Sequence, residues 1–338
     1  MSTYLRPIPQ VGPARPEGAL LLAGGWAWFT HVEVLQRDAL SRIIDVQSVG
    51  PEGLDALVKP RSAISGLDFS APVLMGILNT TPDSFSDGGA YVDTGDAVNH
   101  ALGMARDGAH LIDVGGESTR PGAETVSVDE EIRRTQSVIA VLRDAGLGRP
   151  ISIDTRKVAV AEAAIAVGAD IVNDVSGFAY DPDLARLCAR HGTPVCVMHA
   201  QGAPETMQDN PKYDDVLLDV YDFLDSRIAH LVEIGIPRSQ IIADPGIGFG
   251  KTEAHNLALL SRLSLFHGLG VPILLGASRK GFIGRIGGAL DKAARMPGSV
   301  GVGLAAVAHG AQVVRVHDVA DTRQAIALWR ASMAIGSP

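Results

Sequence analysis

From residue 72 onward the chain repeats one pattern eight times: a short apolar run, a polar or glycine-rich loop, and an amphipathic stretch with helical spacing. The apolar runs fall at residues 73–78, 110–114, 150–153, 170–173, 194–198, 240–243, 272–275 and 312–316. Helical patterns lie near 94–107, 128–145, 157–167, 181–191, 214–234, 253–263, 298–310 and 319–334. Gly108, Gly168 and Gly235 stand where helices should stop ahead of the next run. Strands separated by helices must run parallel. Eight near-equal units therefore predict an α/β fold, a (β/α)8 barrel of the TIM type over residues 71–338. An open doubly wound sheet is the alternative.

Residues 1–70 do not share this rhythm and are expected to form a small N-terminal appendage. They carry Pro7, Pro9, Pro13 and Pro16, and an alternation over 28–34 that suggests a strand. Residues 38–44 fit a short helix or another strand, and 65–68 fit a linker. The segment is β-rich, with no function legible in it.

Charge and composition narrow the partners. A formal charge of −9 gives no long-range attraction to nucleic acid or an anionic membrane surface. No apolar run approaches the roughly 20 residues of a membrane helix, and Gly24-Gly25 interrupts the apolar run at 19–29. Cys188 and Cys196 have neither metal nor redox spacing. They suit core positions in a protein of the reducing cytoplasm.

Every apolar run ends in residues able to do chemistry. The first leads into Asn79, Thr80, Thr81, Asp83, Ser84, Phe85, Ser86 and Asp87, an over-long polar connection. The others lead into Asp113 and the stretch 115–122, Asp154-Thr155-Arg156, Asn173-Asp174, Met198-His199, Asp244-Pro245-Gly246, Ser278-Arg279-Lys280 and Arg315-Val316-His317-Asp318. One aspartate after a strand is often only a helix cap. Eight filled ends on one face of a parallel barrel, where ligands bind, are not capping alone. Two glycine motifs mislead. Gly250-Lys251-Thr252 has the tail of a phosphate-binding loop but Pro245 in place of its first glycine. Residues 301–306 match a dinucleotide fingerprint loosely, without the flanking strand and acidic residue.

The stretches 76–89 (GILNTTPDSFSDGG), 115–122 (GGESTRPG), 153–156 (IDTR), 172–175 (VNDV), 197–202 (VMHAQG), 244–251 (DPGIGFGK), 278–281 (SRKG) and 315–319 (RVHDV) follow in order. Over residues 72–335 the chain resembles the dihydropteroate synthase family of folate biosynthesis, pterin-binding TIM barrels. It departs at Thr80, where an aliphatic residue is common, and residues 1–70 lie outside the resemblance. The resemblance implies a transferase. It would condense 6-hydroxymethyl-7,8-dihydropterin diphosphate with 4-aminobenzoate, releasing diphosphate, as a sulfonamide target and a homodimer.

The local chemistry agrees. A fixed carboxylate accepts the paired N–H donors of a pterin edge, and Asp244 suits that role. Asn173 can meet the ring's donors and acceptors, Asp154 a further N–H, and Lys280 the carbonyl and N5 side, with Met198 also at the ring. Arg315 and His317 alternate by two and so face one side of the last strand. With Asn79 they make an anion site, where Asn79 and the phosphates would hold Mg²⁺. By resemblance Arg120 also reaches the diphosphate, and Phe85, Ser118, Thr119 and Pro121, with Ser278 and Lys280, line the aminobenzoate pocket. Asp87 would anchor the first loop, and residues 81–89 would be a mobile flap. A methyltransferase-type pterin barrel or a non-catalytic pterin-binding homologue remain the rivals. The methyltransferase type has no use for the diphosphate residues, and titration with diphosphate and then aminobenzoate separates the non-catalytic homologue.

Overall fold

The computed structural model describes residues 3–81, 94–118, 125–202 and 206–334. The chain begins with strands β1 (Tyr4–Pro7), β2 (Leu20–Leu21), β3 (Trp28–Phe29), β4 (His31–Leu35) and β5 (Arg42–Asp45), then helix α1 (Pro51–Val58). β4 pairs antiparallel with β1 and β5, and β2 pairs with β3 in a ribbon. The alternation at 28–34 is thus two strands broken at Thr30, and the ambiguous 38–44 stretch resolves into strand β5 after a turn at Asp38, φ 60°.

The barrel strands are β6 (Val73–Asn79), β7 (Leu111–Gly115), β8 (Ile151–Asp154), β9 (Ile171–Asp174), β10 (Val195–Met198), β11 (Ile241–Asp244), β12 (Leu274–Leu275) and β13 (Val313–Val316). The helices around them are α2 (Thr94–Asp107), α3 (Val128–Asp144), α4 (Val158–Ala166), α5 (Pro182–His191), α6 (Val216–Ile234), α7 (Glu253–Ser261), α8 (Gly281–Gly287), α9 (Met296–Ala308) and α10 (Val319–Ser332). All strands are parallel, in the order β11-β10-β9-β8-β7-β6-β13-β12. A single parallel bridge, Ala243 to Ile273, closes the ring. β12 is short because Pro272 has no N–H to offer a ladder; its carbonyl instead accepts from Ala243 N at 2.9 Å.

Strand side chains alternate between two cores. Leu74, Leu78, Ile112, Ile153, Val172, Val197 and Val314 face outward and pack under the helices. Val73, Met75, Leu111, Ile171, Cys196, Ile242, Leu274 and Val313 face inward, near the strand starts. Ile64, Leu67 and Phe69 join that inner layer and plug the barrel from below. The supposed linker is therefore a stopper. Ile64 and Leu67 exchange backbone hydrogen bonds across Ser65 (φ 47°) and Gly66 (φ 79°) to hold it. The rest of the N-terminal segment is clamped outside the barrel: Tyr4 Oη donates to Asp222 at 2.9 Å, Trp26 Nε1 to Val307 O at 2.8 Å, and Ser264 Oγ to Pro7 O at 2.8 Å. Among the described residues no helix is long and apolar enough to cross a membrane. With its lower mouth sealed, the barrel opens only at the carboxyl ends of its strands.

Candidate active site

On four of the strands, one step along from the apolar layer, the inward position turns polar. Asp113 follows Leu111 by two, Asn173 follows Ile171, Asp244 follows Ile242 and Arg315 follows Val313. Asp113, Asn173 and Asp244 are all buried. Arg315 spans this floor, donating from Nε to Asp113 Oδ2 at 2.6 Å and from Nη2 to Asp154 Oδ2 at 2.8 Å. Asn173 Nδ2 donates to the same Asp113 at 3.2 Å. Asp244 Oδ1 accepts from Gly246 N at 2.7 Å, which fixes the carboxylate on the tight Pro245-Gly246 turn.

Two inward positions are glycine, and both leave room above the floor. A Cβ on Gly115 would lie 3.5 Å from Asp154, and one on Gly276 would lie 3.5 Å from Asp244 Oδ2 and 3.8 Å from Arg315 Cδ. Asp154 Oδ1 is buried with no hydrogen-bond partner. An orphaned carboxyl oxygen beside a side-chain-free space is a polar group waiting for a partner.

Burial sets the charges. It pushes Asp154 up to about 8, with Asp113 adding to the shift and Arg315 opposing it. Asp244 rises to about 6 through burial, held back by the Gly246 hydrogen bond, Lys280, Arg315 and Lys251. For Arg315 burial favours the neutral form, yet Asp113 and Asp154 outweigh it and the guanidinium stays charged.

The upper rim is built from the loops after β12 and β13. Lys280 Nζ lies 3.9 Å from the centre of the Phe249 ring, a cation–π contact. Ser278 Oγ accepts from His317 N at 3.2 Å and lies 3.0 Å from His317 Nδ1. Arg279 adopts φ 57°, rare for a side-chain-bearing residue. Its guanidinium pairs with Asp318 and its N–H donates to Ser299 Oγ at 2.8 Å. Two successive residues of one loop are thus latched to two of the other.

Sequence comparisons give this geometry a context. Residues 75–317 match the family described as pterin binding enzyme. A dihydropteroate synthase of Synechocystis is 46% identical over 261 residues, 76% of this chain and 90% of the relative. The chain belongs to the dihydropteroate synthase family. Among solved structures, Xanthomonas albilineans dihydropteroate synthase with 4-aminobenzoic acid is 44% identical with a TM-score of 0.76, covering 82% of this chain and 99% of that one. The same organism's enzyme in complex with 7,8-dihydropteroate is 41% identical with a TM-score of 0.74, covering 82% of this chain and 100% of that one.

Of the family residues expected from the sequence, Asp154, Asn173, Asp244 and Arg315 share the barrel floor, and Ser278, Lys280 and His317 share the rim. Asn79 is half-buried at the end of β6, in register with Gly115. Met198 is buried beside the turn at Gly246, where a Cβ would come within 3.2 Å of it. Ser118 is half-buried at the end of its described segment. Phe85, Asp87, Thr119, Arg120 and Pro121, and the flap expected at 81–89 beyond Thr81, lie outside the described residues. The departure from the family at Thr80 is harmless, since its buried hydroxyl donates to Gly115 O at 3.1 Å. Three functional groups went unassigned in the sequence: Asp113, Lys251 and His199. Asp113 was detectable as an acid at an inward position of an otherwise apolar strand. Lys251 was hidden by its likeness to a phosphate-loop lysine.

Behind the floor, Lys157 Nζ donates to Glu131 (2.6 Å), Glu117 (3.0 Å) and Val126 O (2.6 Å), while Glu117 also accepts from Val126 N at 2.8 Å. Glu117 and Val126 flank the 119–124 stretch, so one buried lysine ties both of its ends to the start of α4.

Proposed function

We propose that the site joins its two substrates by losing diphosphate first and adding the amine second. The product is the family's own, 7,8-dihydropteroate. What supports assigning pterin to the floor is the pairing of a fixed acceptor, Asp244, with the orphaned Asp154 Oδ1 beside Asn173. Asp244 complements the N–H-rich edge of an aminopyrimidinone, and Asp154 and Asn173 can meet its remaining polar atoms. Lys280, stacked on Phe249, meets the ring's carbonyl and N5 side. Met198 supplies an apolar contact.

The carbon–oxygen bond of the pterin methylene breaks with its electron pair leaving on diphosphate. The electron-rich dihydropterin delocalises the resulting positive charge. The neutral amine of 4-aminobenzoate then forms the carbon–nitrogen bond and loses a proton to solvent, completing an alkyl transfer. Arg315, His317, Asn79 and Arg120 receive the diphosphate, and Ser278, Ser118, Thr119, Phe85 and Pro121 receive the aminobenzoate. No protein nucleophile is needed; positioning and charge stabilisation carry the rate.

Among the described residues no group of three or more His, Cys, Asp or Glu is placed to hold a metal. Asn79 fits a cation that draws most of its oxygens from a substrate, which is the habit of Mg²⁺. Mg²⁺ held by Asn79 and the diphosphate would neutralise charge on the leaving group. We further propose a cytoplasmic homodimer, the dimer resting on the family resemblance and the compartment on two free, buried cysteines.

Purified protein supplied with both substrates and Mg²⁺ should form dihydropteroate, and Asp244→Ala should lose most of that activity. A well-folded protein in which wild type and Asp244→Ala are equally active would refute the assignment.

A further inference from the structure

Lys251 is 2% exposed, and none of the roles above uses it. Its Nζ lies 2.8 Å from His199 Nδ1, 2.9 Å from Gly246 O, 3.0 Å from Phe249 O and 3.3 Å from His199 O. Four acceptors exceed the two hydrogens of a neutral amine and suit the three of an ammonium. His199 is held neutral, pushed down to about 3 by burial and by Lys251 itself, so its Nδ1 accepts and its proton sits on Nε2. Burial, with Lys280, pulls the lysine's own pKa well below its ordinary value against the pull of Asp244, and the four acceptors around Nζ are what retain its proton.

The acceptors belong to the backbone that shapes the pterin floor. Gly246 lends its N–H to Asp244 Oδ1 and its carbonyl to Lys251. Phe249 lends its carbonyl to Lys251 and its ring face to Lys280. The two loops meet so closely that a Cβ on Gly246 would lie 1.9 Å from His199 O, and one on Gly250 would lie 2.3 Å from Gln201 O. Such contact brings carbonyl oxygens together, and a buried cation is what offsets their repulsion.

We propose that Lys251 is a positioning residue for pterin recognition, its ammonium fixing the 244–251 loop so that Asp244 and Lys280 hold the geometry the ring requires. The proposal rests on the assignment of Asp244 to the pterin. The charge also acts on Asp244 directly. The groups facing that carboxylate are Lys251 on its own loop, Lys280 from the loop after β12, Arg315 from β13 and the buried thiol of Cys196 on β10. Asp113 and Asp154 lie beyond Arg315, and His199 and His255 face Lys251. Removing the lysine leaves Lys280 and Arg315 as the cations that favour ionised Asp244.

Lys251→Met should weaken binding of the dihydropterin diphosphate about tenfold, the scale of one hydrogen bond to a charged group. It should also move the acid limb of that binding to higher pH. The KM for 4-aminobenzoate should stay within about threefold, which a general loss of structure would not spare. Lys251→Gln keeps two donors without the charge, so it should stay folded and still shift the acid limb. In the Asp244→Asn background Lys251→Met should add less than about twofold, because the two act as a unit. An undiminished tenfold loss in that background, or an unmoved acid limb in both lysine variants, would overturn the proposal. If Asp244→Asn alone binds pterin normally, the assignment of Asp244 falls and takes the proposal with it. A weakened Asp244→Asn beside an unchanged Lys251→Met removes the proposal alone.

Discussion

Asp154 should make the empty protein less stable as pH rises, and Asp154→Asn should remove that penalty. The carboxyl titrates near 8 in the fold, against roughly 3.9 in an unfolded chain. A folded pKa raised above the unfolded one means the native state binds more protons. Stability therefore falls as pH climbs from the unfolded value to the folded one. At pH 7 the linkage amounts to about 1.4 kcal/mol for each of about three pH units, or about 4 kcal/mol. Exchanging the neutral carboxyl for an amide against Arg315 Nη2, 2.8 Å away, costs back about 1–3 kcal/mol. The substituted side chain would be able to keep its oxygen toward Arg315 and turn its amide nitrogen toward the space that Oδ1 of Asp154 now faces unpartnered. The net expectation is a gain of about 2–4 kcal/mol near pH 8, where the linkage has grown to about 5 kcal/mol, and about zero at pH 5, where it has shrunk to about 1–2 kcal/mol. For a chain of this size that is a rise in Tm of about 3–6 °C at pH 8. Melting curves of both proteins from pH 5 to 9, without ligand, make the comparison. A Tm difference that is flat across this range, or a mutant less stable at pH 8 than at pH 5 relative to wild type, would refute the reasoning. The same substitution should weaken pterin binding about tenfold, so a residue kept at the expense of stability is kept for its ligand.

Further outcomes follow from neighbouring features. Affinity for the pterin should fall below pH 6, approaching tenfold per pH unit, as Asp244 is protonated at its raised pKa of about 6; fluorescence titration from pH 5 to 8 reads it, and constant affinity across that range contradicts the role. Phe69 is 1% exposed in the plug under the barrel, so Phe69→Ala should cost about 3–5 kcal/mol in urea unfolding, and removing residues 1–70 should yield insoluble protein; a well-behaved, active truncation would show the plug to be dispensable. Sulfonamides should compete with 4-aminobenzoate in steady-state kinetics, and inhibition that 4-aminobenzoate cannot relieve would speak against a shared pocket.

Much of the barrel was legible because burial on both faces leaves a plain signature: short Val- and Ile-rich runs at even spacing. The alternation inside those runs also carried part of the site, since Asn173 and Arg315 interrupt it at inward positions. What the sequence concealed were the partners. Arg315 and Asp113 stand 202 positions apart, and only closure of the sheet brings them within a hydrogen bond. The plug escaped notice because Ile64, Leu67 and Phe69 act singly, around a Ser-Gly turn with no helical or strand period. Helix α8 escaped because three of its seven residues are glycine, a poor helix sequence that burial of Phe282 and Ile283 overrides. Lys251 escaped because its neighbours are backbone carbonyls, which every residue possesses.

The charge on the floor bears on the proposed Mg²⁺. Asp113, Asp154 and Asp244 contribute three acidic groups, and Arg315, Lys280 and Lys251 three basic ones, mutually paired or adjacent. With Asp154 largely protonated at neutral pH, this set carries no more than about one net positive charge before any substrate arrives. A bound dihydropterin adds little charge, but its diphosphate adds about three negative charges, more than the cations of the floor can offset. The rest of the compensation would come from the proposed Mg²⁺ on Asn79. Chelating Mg²⁺ should therefore weaken binding of the dihydropterin diphosphate at least about tenfold, while hydroxymethyl-dihydropterin without the diphosphate binds as before. Calorimetric titrations of both ligands with and without EDTA separate the two. Equal weakening of both would move the metal to the pterin floor, and no weakening of either would leave the diphosphate to the arginines alone.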